Sequence, residues 1–240
     1  MRWRQYRIAR ERMVRDHVYA RGVRDARVID AMLRVPRHLF IDRDAGVEAY
    51  ADHSYPIGFQ QTMTKPYMVA YLTEQLRLGG AERVLEVGTG SGYHAAVLAG
   101  LCREVFSVER VADLAQRATA VLRDLLYANV SVRVGDGARG WPERAPFDRV
   151  LLTAAADHVP RALLHKLADG GEFLGPVLRD ERRQEVVRLT RRGDRFELER
   201  LIECSFVPMV REENAGDGPA VYRAAAATFP GAPSKKELEG

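Results

Sequence analysis

Along this chain of 240 residues the apolar positions follow two periods. Arg2 to Ala20 carries Ile8, Met13, Val14 and Val18 as a loose helical stripe. Asp25 to Leu33 sets Val28, Ile29, Met32 and Leu33 on one side of a second helix, stopped by Pro36. A third helix, Tyr67 to Leu76, has Pro66 at its first turn. From residue 81 the pattern changes: short β-branched runs alternate with longer helical ones. The predicted elements are Arg83–Val87, Tyr93–Leu101, Glu104–Val108, Val111–Leu126, Ser131–Val134, Asp148–Thr153, Arg161–Leu167 and Gly171–Val177, with Gly170-Gly171 closing the helix before the last strand. Strands apolar on both faces belong to a covered parallel sheet. Glu185 to Leu201 then reads as two strands joined at Gly193-Asp194, an antiparallel pair at a sheet edge. Beyond Arg211 the chain is rich in Ala, Gly, Pro and charge, the composition of a flexible tail.

This order predicts an α/β fold, a doubly wound, Rossmann-like and mostly parallel sheet with an antiparallel edge, preceded by an N-terminal helical lobe. The expected divisions are 1–80 for the lobe and its loop, 81–210 for the sheet domain and 211–240 for the tail.

One stretch carries the chemistry. Val84 to Ala99 runs from a buried strand through a glycine-rich turn into an alanine-rich helix. Gly88, Gly90 and Gly92 permit positive φ and leave no Cβ in the way of a ligand. Such a loop brings backbone N–H groups and a helix N-terminus to a nucleotide-like ligand. A dinucleotide fingerprint wants Gly-x-Gly-x-x-Gly. Here the third glycine comes one residue early, and Glu86 leads the motif. The next strand ends in Glu109, 109 − 88 = 21 positions after Gly88. That is close to the roughly 20 expected for a carboxylate that grips ribose hydroxyls. A third strand ends at Asp136-Gly137, where an acid can accept a hydrogen bond from an adenine amino group.

Composition bounds the reading without adding chemistry. The net charge is +4, but Arg and Lys are scattered among Asp and Glu, which describes a solvated surface rather than a nucleic-acid footprint. Two cysteines with no Cys-x-x-Cys pair fit a reducing cytoplasm. There is no opening signal segment and no apolar run of about 18 residues, so no membrane role is expected. Six dispersed histidines predict no metal site, and Ser91 between two glycines is no nucleophile elbow.

The acidic-x-Gly-x-Gly-x-Gly order resembles the first motif of class I S-adenosylmethionine-dependent methyltransferases. Tyr50 to Leu76 narrows this: Ile57-Gly58, Gln61-Thr62-Met63-Thr64 and Pro66 resemble the active-site loop of protein-L-isoaspartate O-methyltransferases. Val35-Pro36-Arg37, the run from Val134 to Val177 and Phe206-Val207-Pro208 extend the resemblance over roughly residues 10 to 210. It implies that S-adenosyl-L-methionine is held by Glu86, Gly88, Thr89, Gly90, Ser91, Gly92, Glu109, Arg110, Asp136 and Gly137. It implies a substrate site at Ile57, Gln61, Thr62, Thr64, Thr153, Ala154, Ala155 and Val207, with Thr64 as the catalytic residue. Family members methylate the α-carboxylate of L-isoaspartyl residues in damaged proteins and peptides; the ester cyclises to a succinimide, whose hydrolysis restores part of the normal linkage. A carboxylic acid is ionised at neutral pH, so no strong base is needed and alignment and exclusion of water suffice. The small residues from Ala154 to Ala156 would leave backbone groups open to an extended peptide.

Two positions depart from the family: Thr64 stands where serine is common, and Gln60 where glycine is common. Each assignment also has a plain structural counterpart. Thr64 can cap the following helix, Asp136 can form a turn, Glu109 can be a solvated carboxylate, Glu86 can order the loop, and Ala154 to Ala156 can serve close helix–sheet packing. Trp141 and Phe147 fit core packing. Two other functions suit the same residues: methylation of another peptide carboxylate such as aspartate, or a catalytically silent binding module that keeps the cofactor fold.

Overall fold

The computed structural model describes residues 2–180 and 182–210, and the tail expected over 211–240 lies outside the described residues. Helix α1 (Arg2–Met13) passes through a π turn at Val14–Val18 and a 3-10 turn at Tyr19–Arg21. Helix α2 (Ala26–Arg34) begins at Asp25, whose side chain accepts the Arg27 N–H at 2.8 Å. A small hairpin follows, β1 (Tyr55–Gly58) and β2 (Gln61–Met63), then α3 (Pro66–Gln75). The main sheet and its helices come next: β3 (Arg83–Val87), α4 (Tyr93–Ala99), β4 (Glu104–Glu109), α5 (Ala112–Asp124), β5 (Val130–Val134), β6 (Phe147–Leu152), α6 (Arg161–Leu164), β7 (Leu167–Leu178), β8 (Gln184–Arg192) and β9 (Arg195–Cys204).

The seven strands lie in the order β5-β4-β3-β6-β7-β8-β9. The first five are parallel, and β8 and β9 add antiparallel at one edge. The chain runs outward from β3 through β4 to β5, then returns to the other side of β3 with β6. That reversal between β3 and β6 is the point at which open α/β sheets bind ligands.

Consecutive residues of each central strand enter opposite faces. Val84, Val105, Leu151, Leu174 and Val186 share one core with Met13, Val18, Val28, Met32 and Leu72 of the N-terminal helices. Their neighbours Leu85, Phe106, Val150, Phe173 and Val187 pack with Val159, Leu163 and Leu164 on the other face. The period of two thus buries both faces, and the N-terminal lobe is built directly onto the sheet.

Two expectations need correction. Gly170-Gly171 does not close a helix. The helix ends at Leu164, and β7 has already begun at Leu167, where it pairs with Phe147 before a shift in register. Gly170 takes φ 74° inside that irregularity, and a Cβ on Gly171 would stand 2.9 Å from the Ala168 carbonyl oxygen. These glycines therefore kink a strand. The hairpin at 55–63 had no signal in the sequence, because its two turn residues, Phe59 and Gln60, adopt φ 53° and 58° without being Gly, Asn or Asp. Gln60, where the family commonly has glycine, thus occupies a left-handed position that glycine adopts without strain.

Candidate active site

The glycine loop leaves β3 at the reversal point. The Gly88 N–H donates to the Val108 carbonyl at 2.9 Å, so the loop begins as an extension of the sheet. Gly88, Gly90 and Gly92 take φ 100°, 53° and 86°. At Gly88 a Cβ would stand 2.3 Å from Thr153 Oγ1, and that hydroxyl donates toward the Gly88 carbonyl at 2.7 Å. Close approach of β6 therefore demands glycine there, apart from any ligand. A Cβ at Gly92 would meet Ala118 and Leu122 of α5, so close packing also demands glycine there, apart from any ligand.

Glu109 is buried, not solvated. One carboxylate oxygen accepts the Gly90 N–H and the other the Val111 N–H, both at 2.9 Å. It holds the glycine loop against the end of β4. Each oxygen keeps a second lone pair for a ligand hydroxyl. Asp136 both forms a turn and retains a free acceptor. Its Oδ1 takes the Ala138 N–H at 2.9 Å, while its buried Oδ2 has no hydrogen-bond partner. Beneath the loop, Glu86 is fully buried and accepts a hydrogen bond from Ser107, whose hydroxyl also contacts Thr89 Oγ1 at 2.6 Å. Burial pushes the Glu86 carboxyl up to about 8, opposed by the Ser107 hydrogen bond and reinforced by the Glu109 charge. Glu86 therefore orders the loop from below as a neutral acid at pH 7.

Two adjoining hollows straddle Gly88 and share Gln61, Gly88, Glu109 and Ala154. One runs from Thr89, Gly90 and Ser91 to Thr62, Thr64, Thr153 and Val207. The other runs over Arg110 and Gly137 to Pro208 and Met209. The structure thus gathers most of the expected residues from four strand ends, the hairpin and the closing segment. Ile57 and Ala155 line neither hollow, and nor do Glu86, Gly92 and Asp136. Ile57 lines an adjoining hollow of 280 Å³ with Phe40, Leu114 and Arg117 that shares Gly90 and Ser91 with the first. The Ala155 N–H donates to Val207 at 2.8 Å and its carbonyl accepts from Met209 at 2.7 Å, while Ala156 bonds Pro176 and Leu178. The expectation of open backbone at these alanines is therefore corrected: Ala155 and Ala156 hold the closing segment, and Ala154 borders both hollows. Thr64 does not cap α3, whose N-cap is Lys65 with no side-chain hydrogen bond.

Sequence reasoning missed Tyr93 and His94, which wall the first hollow. His94 was readable only as one more residue of an alanine-rich helix. Thr73 Oγ1 donates to the Val69 carbonyl at 2.7 Å, so its 2.9 Å contact with His94 Nε2 requires the proton on that nitrogen. Burial lowers the imidazole pKa to about 3, so His94 stays neutral. The same burial raises Tyr93 to about 12. Of the ionisable groups bordering the first hollow, Glu109 is engaged by two backbone N–H groups, His94 is locked neutral and Tyr93 stays protonated. None is poised as a general base at pH 7. The arrangement suits transfer to a nucleophile that is already ionised.

Asp136 Oδ2, buried without a hydrogen-bond partner and 4.0 Å from Arg139 Nε, and the glycine cradle at Gly88 suit an adenosine-bearing ligand with N–H and O–H donors. A doubly wound sheet with this loop at its reversal point, and carboxylates at the next two strand ends, defines an S-adenosylmethionine-dependent methyltransferase.

The chain belongs to the protein-L-isoaspartate(D-aspartate) O-methyltransferase family, whose sequence profile matches residues 9–214. It is 48% identical over 205 residues to protein-L-isoaspartate O-methyltransferase 2 of Geotalea uraniireducens, covering 85% of this chain and 94% of that protein. It is 51% identical over 179 residues to protein-L-isoaspartate O-methyltransferase 1 of Syntrophobacter fumaroxidans, covering 75% of this chain and 83% of that one. A solved protein-L-isoaspartate O-methyltransferase superposes with TM-score 0.72 at 27% identity; the match covers 87% of this chain and 65% of that one. A Plasmodium falciparum structure in complex with S-adenosyl-L-homocysteine shares the fold, with TM-score 0.75 at 23% identity over 85% of this chain and 99% of that one.

Proposed function

We propose that this chain transfers a methyl group from S-adenosylmethionine to the α-carboxylate of L-isoaspartyl residues in damaged proteins and peptides. The observation that carries the reading is Thr64, which lines the same hollow as Thr89, Gly90 and Ser91 of the glycine loop, with no group there poised as a general base. Family membership and relatives at 48% and 51% identity support the same substrate class.

When bound, the cofactor supplies the methyl group on a sulfonium centre. The chain's residues bind and align. Glu109 would take the ribose hydroxyls with the lone pairs its backbone bonds leave over, and Asp136 Oδ2 would take the adenine amino group. Thr64 orients one oxygen of the substrate carboxylate. Gln61, Thr62 and Val207 line the peptide side, and Ala154 sits at the junction of the two hollows. Positive and negative charge are lost together in this transfer, so a dry, apolar enclosure favours the transition state over the separated ions. Met63, Val69 and Val207 supply the apolar part of that enclosure.

The partners of this reading are isoaspartyl-containing proteins and peptides, and its setting is the reducing cytoplasm, where Cys102 and Cys204 remain free thiols. Among the described residues no helix is long and apolar enough to cross a membrane.

The test is tritium transfer from labelled S-adenosylmethionine to an isoaspartyl peptide and to its aspartyl twin. Labelling of the isoaspartyl peptide alone is expected. Labelling of the aspartyl twin alone would move the substrate to another carboxylate. Tight S-adenosylhomocysteine binding with no transfer to either peptide would indicate a silent module.

A further inference from the structure

The N-terminal lobe sends one buried cationic side chain to the Thr64 backbone. Arg37 follows the Val35-Pro36 turn and is 0% exposed. Its Nε donates to the Ala49 carbonyl and its Nη2 to the Thr64 carbonyl, both at 2.8 Å. The guanidinium carbon lies 4.6 Å from the centroid of the Tyr93 ring, and Nη1 is buried without a hydrogen-bond partner. A buried charge is costly unless paired with an opposite one. Among the described residues Arg37 makes no ion pair. Its charge is met by carbonyls and a ring face, which suits a weakly hydrated planar cation.

What this side chain holds is specific. One carbonyl belongs to the 3-10 segment Arg43–Tyr50, and the other to the residue that carries the active-site hydroxyl. A second grip lies three residues on: Asp52 accepts the Tyr67 N–H at 3.2 Å and pairs with Arg21 at 2.6 Å, whose guanidinium lies 3.6 Å from the Tyr67 ring centroid. The lobe therefore clamps the Thr64–Tyr67 segment at both ends, and among the described residues Arg37 is the one whose side chain hydrogen-bonds Thr64 itself.

We propose that Arg37 is a positioning residue for methyl transfer. Its planar fork fixes the peptide plane at Thr64 against the lobe and so aims the hydroxyl. It lines neither hollow and has no direct role in binding. The inference rests on the reading of Thr64 as the residue that orients the carboxylate.

A double-mutant cycle tests it. In the full-length protein, Arg37→Lys keeps the charge and loses the fork, and Thr64→Val removes the hydroxyl. Each single change should lower kcat at least tenfold. S-adenosylhomocysteine affinity by calorimetry should stay within about twofold. The double variant should be no slower than Thr64→Val alone, because Arg37 acts only through that hydroxyl. Arg37→Ala should regain part of its lost kcat with millimolar methylguanidinium, which refills the fork. Multiplying losses in the double variant, or full kcat per folded molecule in Arg37→Lys with only a lower melting temperature, would overturn the positioning role. Unchanged kcat in Thr64→Val would instead sink the reading of Thr64, a distinct result. If Arg37→Ala does not fold, the Arg37→Lys arm decides.

Discussion

The cofactor cradle and the Thr64 hairpin meet at one hollow but are built in different ways. The cradle is made of neighbouring strand ends, joined across the sheet by backbone and carboxylate bonds and by Thr153 on Gly88. Gly88 continues β3, Glu109 closes β4 and caps the loop above it, and Asp136 caps the turn after β5. Thr64 is held from far along the chain: its carbonyl by Arg37, 27 residues earlier, and the Ile57 carbonyl of its hairpin by Arg117, 60 residues later, at 3.2 Å. A site assembled from strand ends binds. A residue held at the junction of a lobe and a sheet can be aimed independently of binding. The difference predicts that cradle substitutions change affinity and stability, whereas substitutions at Thr64 and its supports change turnover.

The largest effect belongs to Gly88→Ala. The new methyl would meet Thr153 Oγ1 at 2.3 Å, with φ at 100°. Left-handed strain and overpacking together cost about 2–5 kcal/mol. A stable, cofactor-binding Gly88→Ala protein in a denaturant titration would contradict the close approach of β6. Next comes Glu109→Ala, which leaves the Gly90 and Val111 N–H groups without their acceptor and removes the proposed ribose contact. Charge-assisted bonds contribute about 1.5–3 kcal/mol each, so calorimetry should show S-adenosylhomocysteine binding at least tenfold weaker. Wild-type affinity in the folded variant would remove Glu109 from the cofactor site.

A smaller effect sharpens the view of the cradle as a folding unit. Glu86 has its carboxyl raised from 4.5 to about 8, so between those values the folded protein holds a proton that the unfolded chain has lost. Stability then falls as pH rises, by about 1.4 kcal/mol per unit. His94, lowered from 6.5 to about 3, works in the opposite sense below pH 6.5, because the unfolded chain binds its proton there. The two offset each other from 4.5 to 6.5; above 6.5 the Glu86 slope continues, joined in the same sense by His53, which its bond with Glu48 raises above the ordinary imidazole value. Urea unfolding of Glu86→Gln across pH 6.5 to 8 should show the slope reduced by the Glu86 contribution, with the His53 part remaining; an unchanged slope would assign it wholly to other groups. The smallest effect is at Asp136: Asp136→Ala should weaken S-adenosylhomocysteine binding, and Asp136→Asn should keep part of it because the amide oxygen still accepts. If neither alters affinity, Asp136 is a turn residue only.

The same contrast governs how much was legible in the sequence. Strand β3 falls at Arg83–Val87 as expected, because a covered strand followed by a glycine turn is a local signal. Glu109 and Asp136 were found by spacing along successive strands. Thr64 came from resemblance alone; no local pattern separates an aimed hydroxyl from a helix cap. Arg37 was visible only as part of a Val-Pro-Arg turn, since its partners lie 12 and 27 residues away. Ala155 misled because small side chains suggest open backbone, whereas the closing segment Val207 to Met209 takes up its N–H and carbonyl. Each miss depends on a contact between distant segments, which periodicity and spacing do not encode.

The most direct test is Thr64→Val, which removes the hydroxyl at nearly constant shape, with S-adenosylhomocysteine affinity, melting temperature and kcat/KM on an isoaspartyl peptide measured on the same preparation. Affinity and melting temperature should change little, and kcat/KM should fall at least tenfold, about 1.4 kcal/mol of transition-state stabilisation. Thr64→Ser should retain activity. An unchanged kcat/KM in folded Thr64→Val would contradict the separation of binding from aiming and pass the positioning of the carboxylate to backbone groups beside Ala154.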